Sequence, residues 1–355
     1  MAGQFSSGAA FRDWESGDVH LYSRITDPSV SRFERSLRIG DEAGTLAFGS
    51  GMSAISTLLI FLSRRFSRIA IPTRMYGGSQ TLITDLLHPI HYDEVIPIDL
   101  DANVPPEDLR DAVSFVETPA NPTLETVDLA AWSEFADRQN CELVVDNTVL
   151  THVCQDPIRL GASYAVASCT KAISGGSDVL GGAIWVKSEE ALKALVHYRT
   201  YLGTILTASV ADTLTDRQND LKARIVCQSE NALEVYNALK EWGHFLRCHY
   251  PLSTSRGREI AALQSGGLGG GLFTCVPSKS LEQTRRFVDE LQLVRIATSF
   301  GGKTTTAQIV NDIDYGEGTN TSDFRQDPLV RFSIGIEKPS EVAADIIAAW
   351  RKVSE

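Results

Sequence analysis

The sequence is poor in cysteine, in histidine and in long apolar runs, and each shortage excludes a class of protein. Its six cysteines show no Cys-x-x-Cys spacing, so we expect reduced thiols that pack as small hydrophobic groups. The longest largely apolar run, Ala54 to Leu62, is far shorter than the roughly 20 residues that a membrane-spanning helix needs. The residues before this run contain no basic stretch followed by an apolar core, which is the pattern of an export signal. We therefore expect a cytoplasmic protein with no export signal and no membrane partner.

Positive charge is scarce as well. Lysine and arginine number 33 against 45 aspartates and glutamates, which gives a net charge of −12. Such a charge repels nucleic acid and anionic lipid, so a small-molecule partner is predicted. His88 and His91 are close in the chain, but Pro89 breaks the helix that would align them. No metal site is therefore predicted.

The features that are present are those of a globular protein. The chain has 355 residues, of which 43% are apolar and 22% charged, and it is long enough for about two domains. Short β-branched runs alternate with helical patterns, and these runs lie at 68–72, 113–118, 143–146, 164–168 and 183–186. This alternation predicts βαβ units and a parallel sheet that is covered on both faces.

A long segment with a helical pattern, at 212–242, ends this alternation of strands and helices. The residues after it predict a strand at 270–276, a helix at 280–291, a strand at 330–334 and a helix at 340–352. We therefore predict an N-terminal arm over 1–27, a large α/β domain over 28–215 and a smaller α+β C-terminal domain over 216–355. The arm has weak periodicity and needs another surface to pack on.

Glycine and polar residues follow several apolar runs, where ligands bind in an open parallel sheet. These segments lie at 49–52, 76–78, 117–122, 146–148 and 168–171. Gly51 at a helix start suits a phosphate, and Ser168 and Thr170 share one face of a strand and could bind the same phosphate. Lys171 supplies an amine that can form a Schiff base, and Asp146 can pair with a protonated pyridine nitrogen. Together these segments predict a site for a phosphorylated aromatic cofactor.

Each of these features also has a purely structural interpretation. Asp146 could cap a helix, Ser168 and Thr170 could be ordinary strand-end hydroxyls, and the segment at 76–78 could be only a turn. Taken together, the ordered set favours the cofactor site. The glycine cluster at 266–271 precedes a strand instead of linking a strand to a helix, so a dinucleotide-binding loop is the weaker interpretation.

Seven motifs occur along the chain in an order that resembles a known family. They are Ser50-Gly51-Met52, Tyr76-Gly77-Gly78, Glu117-Thr118-Pro119-Ala120-Asn121-Pro122, Val145-Asp146-Asn147-Thr148, Ser168-Cys169-Thr170-Lys171, Ser174-Gly175-Gly176-Ser177-Asp178 and Arg331-Phe332-Ser333-Ile334-Gly335-Ile336-Glu337. This order resembles the Cys/Met-metabolism family of pyridoxal phosphate enzymes, which includes cystathionine γ-synthase, the cystathionine lyases and methionine γ-lyase. The resemblance implies pyridoxal 5′-phosphate as the cofactor. It also implies the aspartate aminotransferase-like fold type I, an α/β fold with a mostly parallel sheet in the large domain and a smaller α+β C-terminal domain.

The resemblance also implies roles for individual residues. Lys171 resembles the Schiff-base lysine that shuttles protons, and Asp146 resembles the partner of the pyridinium nitrogen. Tyr76 resembles the catalytic ring that stacks on the cofactor and takes a proton from the incoming amine. The implied phosphate cradle consists of Ser50, Gly51, Met52, Ser168 and Thr170. The residues implied to bind the substrate carboxylate are Asn121, Ser299 and Arg331. The resemblance also places Asn121 near the phenolic oxygen of the cofactor. Tyr22 and Arg24 resemble an element that reaches the phosphate site of a neighbouring subunit, which implies a homo-oligomer, with a tetramer built from two active dimers expected.

Several positions depart from the family pattern. Ala172 and Gly176 stand where a tyrosine and a histidine are common, which predicts open volume beside Lys171. Thr81 follows Gln80 where the family has a Tyr-Arg pair, and Thr298 replaces an acidic or aromatic residue. These departures predict an atypical substrate.

The predicted function is γ-elimination or γ-replacement on an L-α-amino acid with a leaving group at Cγ. The alternatives are β-elimination by a C–S lyase, transamination by a fold-type-I aminotransferase, and a non-catalytic protein that binds pyridoxal phosphate. An aminotransferase would accumulate the amine form of the cofactor. A non-catalytic protein would bind the cofactor without exchanging substrate Cα protons.

Overall fold

A computed structural model describes residues 11–12, 19–20, 22–100, 105–106, 108–310 and 328–353. Most of the predicted arm over 1–27 lies outside the described residues. Within the arm, strands β1 (Phe11–Arg12) and β2 (Val19–His20) pair antiparallel. The arm as a separate unit stays a prediction.

A seven-stranded sheet forms the large α/β part of the molecule. Its strands are β3 (Gly44–Phe48), β4 (Arg68–Pro72), β5 (Glu94–Ile98), β6 (Ala112–Glu117), β7 (Glu142–Asp146), β8 (Tyr164–Ser168) and β9 (Gly182–Val186). Their order across the sheet is β3-β9-β8-β7-β6-β4-β5. The pairings from β5 to β8 are parallel, whereas β9 runs antiparallel to both β3 and β8. The prediction of a mostly parallel sheet is confirmed, with β9 as the reversed strand.

Helices cover both faces of this sheet. They are α1 (Pro28–Ser36), α2 (Gly51–Leu62), α3 (Gly77–Thr81), which continues as a π-helical segment (Leu82–Leu87), α4 (Leu129–Arg138), α5 (Thr151–Cys154), α6 (Glu189–Leu202) and α7 (Ala208–Asp216). On β6, Phe115 packs into a cluster with Leu58 of α2, and Val116 packs into a cluster with Trp132 of α4. Because both faces of the strand are buried, its sequence is a continuous apolar run instead of an alternating one.

The start of α2 is determined locally. The Ser50 hydroxyl accepts from the Ser53 amide at 3.0 Å, and the Ser53 hydroxyl accepts from the Ser50 amide at 2.9 Å. This reciprocal pair satisfies two backbone donors that a helix start leaves open. It holds the first turn of α2 against the end of β3, where the predicted phosphate cradle lies.

A second, smaller sheet forms the C-terminal part. Its strands are β10 (Phe245–His249), β11 (Leu272–Pro277), β12 (Arg295–Ile296), β13 (Thr306–Ile309) and β14 (Val330–Ser333), in the order β10-β11-β14-β13-β12. The helices that accompany it are α8 (Leu221–Trp242), α9 (Ser255–Gln264), α10 (Leu281–Asp289) and α11 (Pro339–Lys352). Phe273, Phe287, Phe332 and Trp350 lie in its core. The predicted smaller α+β unit is therefore present.

The predicted helix over 212–242 is two helices in the structure. Helix α7 ends at Asp216 and α8 begins at Leu221. Ala211 of α7 packs in the core beneath the large sheet, whereas Ala232 of α8 packs in the C-terminal core. The domain boundary between residues 215 and 216 stays a prediction. Across the described ranges, no helix combines the length and apolarity that crossing a bilayer requires.

A buried histidine makes the stability of the large sheet sensitive to acid. His152 of α5 is 5% exposed and stacks on Trp185, with ring centroids 5.3 Å apart. Burial lowers the pKa of His152 from 6.5 to about 4. Between these values the unfolded chain binds a proton that the folded chain excludes, so the folded state loses stability as pH falls from about 6.5 towards 4.

We expect His152→Phe to remove this acid sensitivity. We compare the free energy of unfolding of the wild-type protein with that of the variant at each pH. The wild-type value minus the variant value should be lower by about 2 kcal/mol at pH 4.5 than at pH 7.5, since one pKa unit corresponds to about 1.4 kcal/mol. Urea unfolding of both proteins at the two pH values measures this difference, and other titrating groups cancel in the comparison. A difference that does not change with pH would contradict the assignment.

Candidate active site

A cavity of about 180 Å³ opens where β6, β7 and β8 end and α2 begins. All of the predicted cofactor-binding residues except Tyr22 and Arg24 line it, namely Ser50, Gly51, Met52, Tyr76, Asn121, Asp146, Ser168, Thr170 and Lys171. Residues from five separate chain segments therefore meet at one point, as expected for polar residues at the carboxyl ends of parallel strands.

One end of the cavity is built from α2 and the end of β8. A side-chain carbon at residue 51 would lie 2.8 Å from Ser168 Cβ, so the close approach of the two segments requires glycine. The Thr170 hydroxyl accepts from the Gly181 amide at 3.1 Å. The helix N-terminus adds open backbone N–H groups and a partial positive charge. Together these groups fit a phosphate.

Two carboxyl groups lie side by side at the ends of β6 and β7, where Glu117 and Asp146 are register partners. The Asp146 carboxylate accepts from the Thr148 amide at 3.0 Å and from the Thr148 hydroxyl at 2.5 Å. Burial raises the pKa of Asp146 to about 6, against the lowering effect of these hydrogen bonds. Burial and the neighbouring Asp146 charge raise the pKa of Glu117 well above its usual value. Because the Asp146 charge is among the causes that raise the pKa of Glu117, Asp146 is the member of the pair that ionises more readily.

Lys171 lies in the turn that follows β8. Its Nζ atom donates to Ser299 Oγ at 3.2 Å and lies 5.0 Å from the ring centroid of Phe300. Burial, aided by the positive charge of Arg331, lowers the pKa of Lys171 to about 8. A substantial fraction of the amine is therefore neutral near physiological pH, as a base or nucleophile requires.

Arg331 of β14 connects the C-terminal sheet to the cavity. Its Nη1 atom donates to Asn121 Oδ1 at 2.9 Å, and its Nη2 atom donates to the Thr298 carbonyl at 2.7 Å and to Gln308 Oε1 at 2.5 Å. The guanidinium carbon lies 5.1 Å from the Phe300 ring centroid. The three predicted substrate-binding residues therefore lie around Lys171, and the Phe300 ring lies close to both cations.

Tyr22 and Arg24 are not brought to the cavity of their own chain. Tyr22 is 43% exposed, and Arg24 Nη1 donates to the Thr200 carbonyl at 3.2 Å. The Arg24 guanidinium carbon lies 5.4 Å from the Tyr22 ring centroid. The pair lies on the surface of the chain.

Three residues that shape the cavity have no role predicted from the sequence. Glu117 accepts from the Tyr76 amide at 2.9 Å, and Thr148 both donates to Asp146 and accepts from the Ser168 amide at 2.9 Å. Phe300 lines the cavity beside Lys171. Glu117 and Thr148 follow predicted strands, which is the signal that could have indicated them.

The expected open volume at Ala172 and Gly176 is not found. Gly301 has a φ of +77°, and a side-chain carbon there would lie 2.6 Å from the Ala172 amide nitrogen. A side-chain carbon at residue 176 would lie 2.5 Å from Nη1 of Arg217, which is ion-paired with Asp178. Other parts of the chain therefore fill the space that these small residues leave.

The two-sheet fold and this cavity define a fold type I pyridoxal phosphate enzyme. The crystal structure of cystathionine gamma synthase from Xanthomonas oryzae pv. oryzae in complex with cystathionine is similar, with a TM-score of 0.88 and 27% identity, covering 98% of this chain and 92% of that one. Cystathionine gamma-synthase from Mycobacterium tuberculosis is 31% identical over 92% of this chain and 84% of its own length. L-methionine gamma-lyase from Brevibacterium sandarakinum is 32% identical over 97% of this chain and 86% of its own length.

The family model described as Cys/Met metabolism PLP-dependent enzyme matches residues 4–351. The chain belongs to this family and is an enzyme with pyridoxal phosphate as its cofactor. The resemblance of the ordered motifs is thereby confirmed. In the described part of the chain, no three histidine, cysteine, aspartate or glutamate side chains are grouped so as to hold a metal ion.

Proposed function

We propose that the protein catalyses γ-elimination or γ-replacement on an L-α-amino acid that carries a leaving group at Cγ. The observation that carries this proposal is the position of Lys171. Its buried amine lies between the cavity that contains Asp146 and the group formed by Arg331, Asn121 and Ser299. One neutral base is thus within reach of both a cofactor ring and an amino-acid substrate.

We infer the following roles for the cavity residues toward the cofactor. The start of α2 with Ser50, Gly51 and Met52, and the hydroxyls of Ser168 and Thr170, hold the phosphate. Tyr76 stacks on the ring, the Asp146 carboxylate faces the pyridine nitrogen, and Asn121 lies near the phenolic oxygen. When bound, pyridoxal phosphate supplies a ring that accepts the electrons released at the substrate Cα.

The residues of this chain then orient the substrate and move its protons. Arg331, held by Asn121 and Gln308, binds the substrate α-carboxylate, which a guanidinium does better than an ammonium. Lys171 Nζ takes the proton from Cα and then carries protons at neighbouring carbons, since its flexible side chain reaches along the substrate. Ser299 holds the Lys171 amine on the substrate side of the cavity.

The choice of Cγ as the reacting carbon rests on the relatives. Two of them are named cystathionine gamma-synthase and L-methionine gamma-lyase. A third, from Bacillus subtilis, is named cystathionine beta-lyase and is 28% identical, so β-elimination is the second candidate. The departures at Thr81 and Thr298, together with Phe300 beside Lys171, favour an atypical substrate.

We also infer that the enzyme works in the cytoplasm as a homo-oligomer. Tyr22 and Arg24 lie on the surface, away from the cavity of their own chain. They are suited to complete the phosphate site of a second subunit, and two such dimers form the expected tetramer. A particle mass of at least twice 38.8 kDa in sedimentation velocity supports this assembly, and a monomeric active enzyme contradicts it.

The products from γ- and β-substituted amino acids test the reaction. With L-cystathionine in deuterated water, γ-elimination by the holoenzyme should release cysteine, ammonia and a four-carbon 2-oxo acid, and γ-replacement should yield a new γ-substituted amino acid when a thiol is added. Mass spectrometry follows the products and Cα deuterium. L-Methionine and amino acids with acyloxy groups at Cγ extend the panel to atypical substrates.

Other outcomes of the same assay would contradict the proposal. Pyruvate from L-cystathionine would indicate β-elimination. Accumulation of the amine form of the cofactor with a 2-oxo acid that keeps its γ substituent would indicate an aminotransferase. A cofactor-loaded protein that exchanges no Cα proton of any substrate in the panel would be a non-catalytic binding protein.

A further inference from the structure

The turn that carries Lys171 is held by hydrogen bonds from distant parts of the chain. We call residues 171–175 the lysine turn, and each of its backbone carbonyls accepts a hydrogen bond. The Lys171 carbonyl accepts from the Gly175 amide at 2.9 Å, within the turn. The other four carbonyls accept from donors at least 43 residues further along the chain. The conformation of the turn therefore depends on these distant donors.

Two arginines supply most of the distant donors. Arg224 Nη1 donates to the Ala172 carbonyl at 2.7 Å, and its Nη2 donates to the Ile173 carbonyl at 3.3 Å. Arg217 Nη1 donates to the Ser174 hydroxyl at 2.9 Å and to the Ser174 carbonyl at 3.4 Å. A guanidinium is a rigid planar donor group, so one side chain can fix two neighbouring carbonyls in a way that an ammonium cannot.

Each guanidinium is oriented by a carboxylate. Arg217 donates through Nη1 and Nη2 to the two carboxylate oxygens of Asp178, at 2.6 and 2.7 Å. Arg224 donates through Nε to Asp220 Oδ1 at 2.7 Å. Two-point pairing of this kind fixes the plane of the guanidinium as well as its position. We call Arg217, Arg224 and these two aspartates the guanidinium clamp.

The backbone of the turn leaves room for the guanidinium groups. A side-chain carbon at Gly175, whose φ is +64°, would lie 2.5 Å from Arg224 Nη1. A side-chain carbon at Gly176 would lie 2.5 Å from Arg217 Nη1 and equally close to Asp178 Oδ1. Two consecutive glycines therefore allow the arginines to approach the backbone this closely.

The clamp also reaches the segment that provides Ser299. Asp220, in the linker between α7 and α8, pairs with Lys303 at 2.9 Å as well as with Arg224. The Lys303 amide donates to the last carbonyl of the lysine turn at 3.1 Å. Ser299, four residues before Lys303, accepts from the Lys171 amine. The linker between the two helices is therefore bonded both to the turn that carries the amine and to the segment that contacts the amine.

We propose that Arg217 and Arg224 are positioning residues that hold the lysine turn, so that the Lys171 amine stays directed at the cofactor and at the substrate Cα. Within the described part of the chain neither arginine lines the active-site cavity, so both act through the backbone of the turn. This role rests on the function proposed above for Lys171. A displacement of about 1 Å at a reacting group can cost about 10²-fold in rate, so the clamp matters for catalysis although it is remote from the substrate.

Arg217→Gln in the holoenzyme tests the clamp. The Arg217 side chain is 27% exposed, so the variant should fold. We expect kcat to fall about tenfold or more and KM to change less than about twofold, because Arg331 is held by other segments. The visible circular dichroism of the bound cofactor should weaken at equal cofactor content, since the amine that carries the cofactor is less firmly oriented.

Gly176→Ala tests the same contact without removing an arginine. Residue 176 is not among the glycines with a left-handed φ, so alanine should be accepted by the backbone while its methyl group displaces Arg217 from the turn. The loss of kcat should resemble that of Arg217→Gln. The double variant should be no worse than either single variant, because both changes remove one interaction.

Arg110→Gln is the matched control. Arg110 also forms a two-point pair with an aspartate, Asp108, at 3.0 and 3.3 Å, but it precedes β6, whereas the cavity lies where β6 ends. Its replacement should change neither kcat nor the circular dichroism. Wild-type kcat and circular dichroism in Arg217→Gln, additive losses in the double variant, or an equal loss in Arg110→Gln would overturn the positioning role. A wild-type holoenzyme in which borohydride does not label Lys171 would instead overturn the proposed function, so the two failures are distinguishable.

Discussion

Replacement of Lys171 by alanine is expected to lower kcat by at least about 10³-fold, because in the proposed mechanism this amine both anchors the cofactor and moves substrate protons. The variant should fold, since the side chain makes a hydrogen bond only to Ser299 among the described residues. Steady-state kinetics with the best substrate of the panel measure the loss. A small added amine should restore part of the activity, because it replaces the missing base in the space left by the side chain.

Borohydride labelling gives an independent measurement of the same assignment. Reduction of the cofactor-loaded wild-type protein should add the mass of the reduced cofactor to the peptide that contains Lys171, and the alanine variant should lack this label. Lys193→Ala is the matched control. Lys193 lies on the surface of α6 with its side chain 81% exposed, so its loss should change neither kcat nor labelling. Labelling of another lysine, or a Lys171→Ala variant with wild-type kcat, would refute the assignment.

Asp146→Asn should lower kcat by about 10²- to 10³-fold, the size of effect seen when one preorganised charged or polar group is removed from a reacting centre. Asparagine keeps an oxygen that can accept from Thr148, so the local hydrogen bonds survive while the negative charge is lost. Without that charge the protonated pyridine nitrogen loses its partner, and the ring withdraws electrons less strongly.

Glu117→Gln is the natural comparison for Asp146→Asn. Glu117 lies beside Asp146 in register and is also buried, but burial and the Asp146 charge raise its pKa well above the usual value, so it holds its proton more tightly than Asp146 does. Exchanging this carboxyl, which resists ionisation, for a neutral amide should therefore change kcat less than about tenfold. Stopped-flow spectra and steady-state kinetics of the two variants measure the difference. Equal losses in both would show that the charge of Asp146 is not what matters.

Much of the large sheet could be predicted because its strands are short apolar runs bounded by turns. The structure has β4 at Arg68–Pro72 and β8 at Tyr164–Ser168, the ranges expected from the sequence. The reversed direction of β9 was not predictable, since a buried strand has the same apolar pattern whether it runs parallel or antiparallel. The break between α7 and α8 was missed because Asn219 and Asp220, which favour caps and turns over helix interiors, were included in one continuous polar helix.

The site was predictable to the extent that it depends on one sheet edge. Asp146 and Ser168 end their strands and Lys171 follows one, so sheet geometry alone brings them together. The contact of Ser299 and Arg331 with this edge depends on a second sheet far along the chain, and it was expected only from the family resemblance. The raised pKa of Glu117 and the position of Phe300 close to Lys171 and Arg331 arise from burial and tertiary contacts that no local pattern encodes.

The origin of the two walls of the active site has a consequence for how such an enzyme can diversify. The cofactor cradle is made by strand ends of the large sheet, whereas Thr298, Ser299, Phe300 and Arg331 come from the C-terminal sheet and its connections. Mutations in the second group can redesign which amino acid is accepted while the first group stays intact. The residues that must stay constant for the chemistry therefore belong to the large sheet, and those that can change with the substrate belong to the C-terminal sheet and its connections.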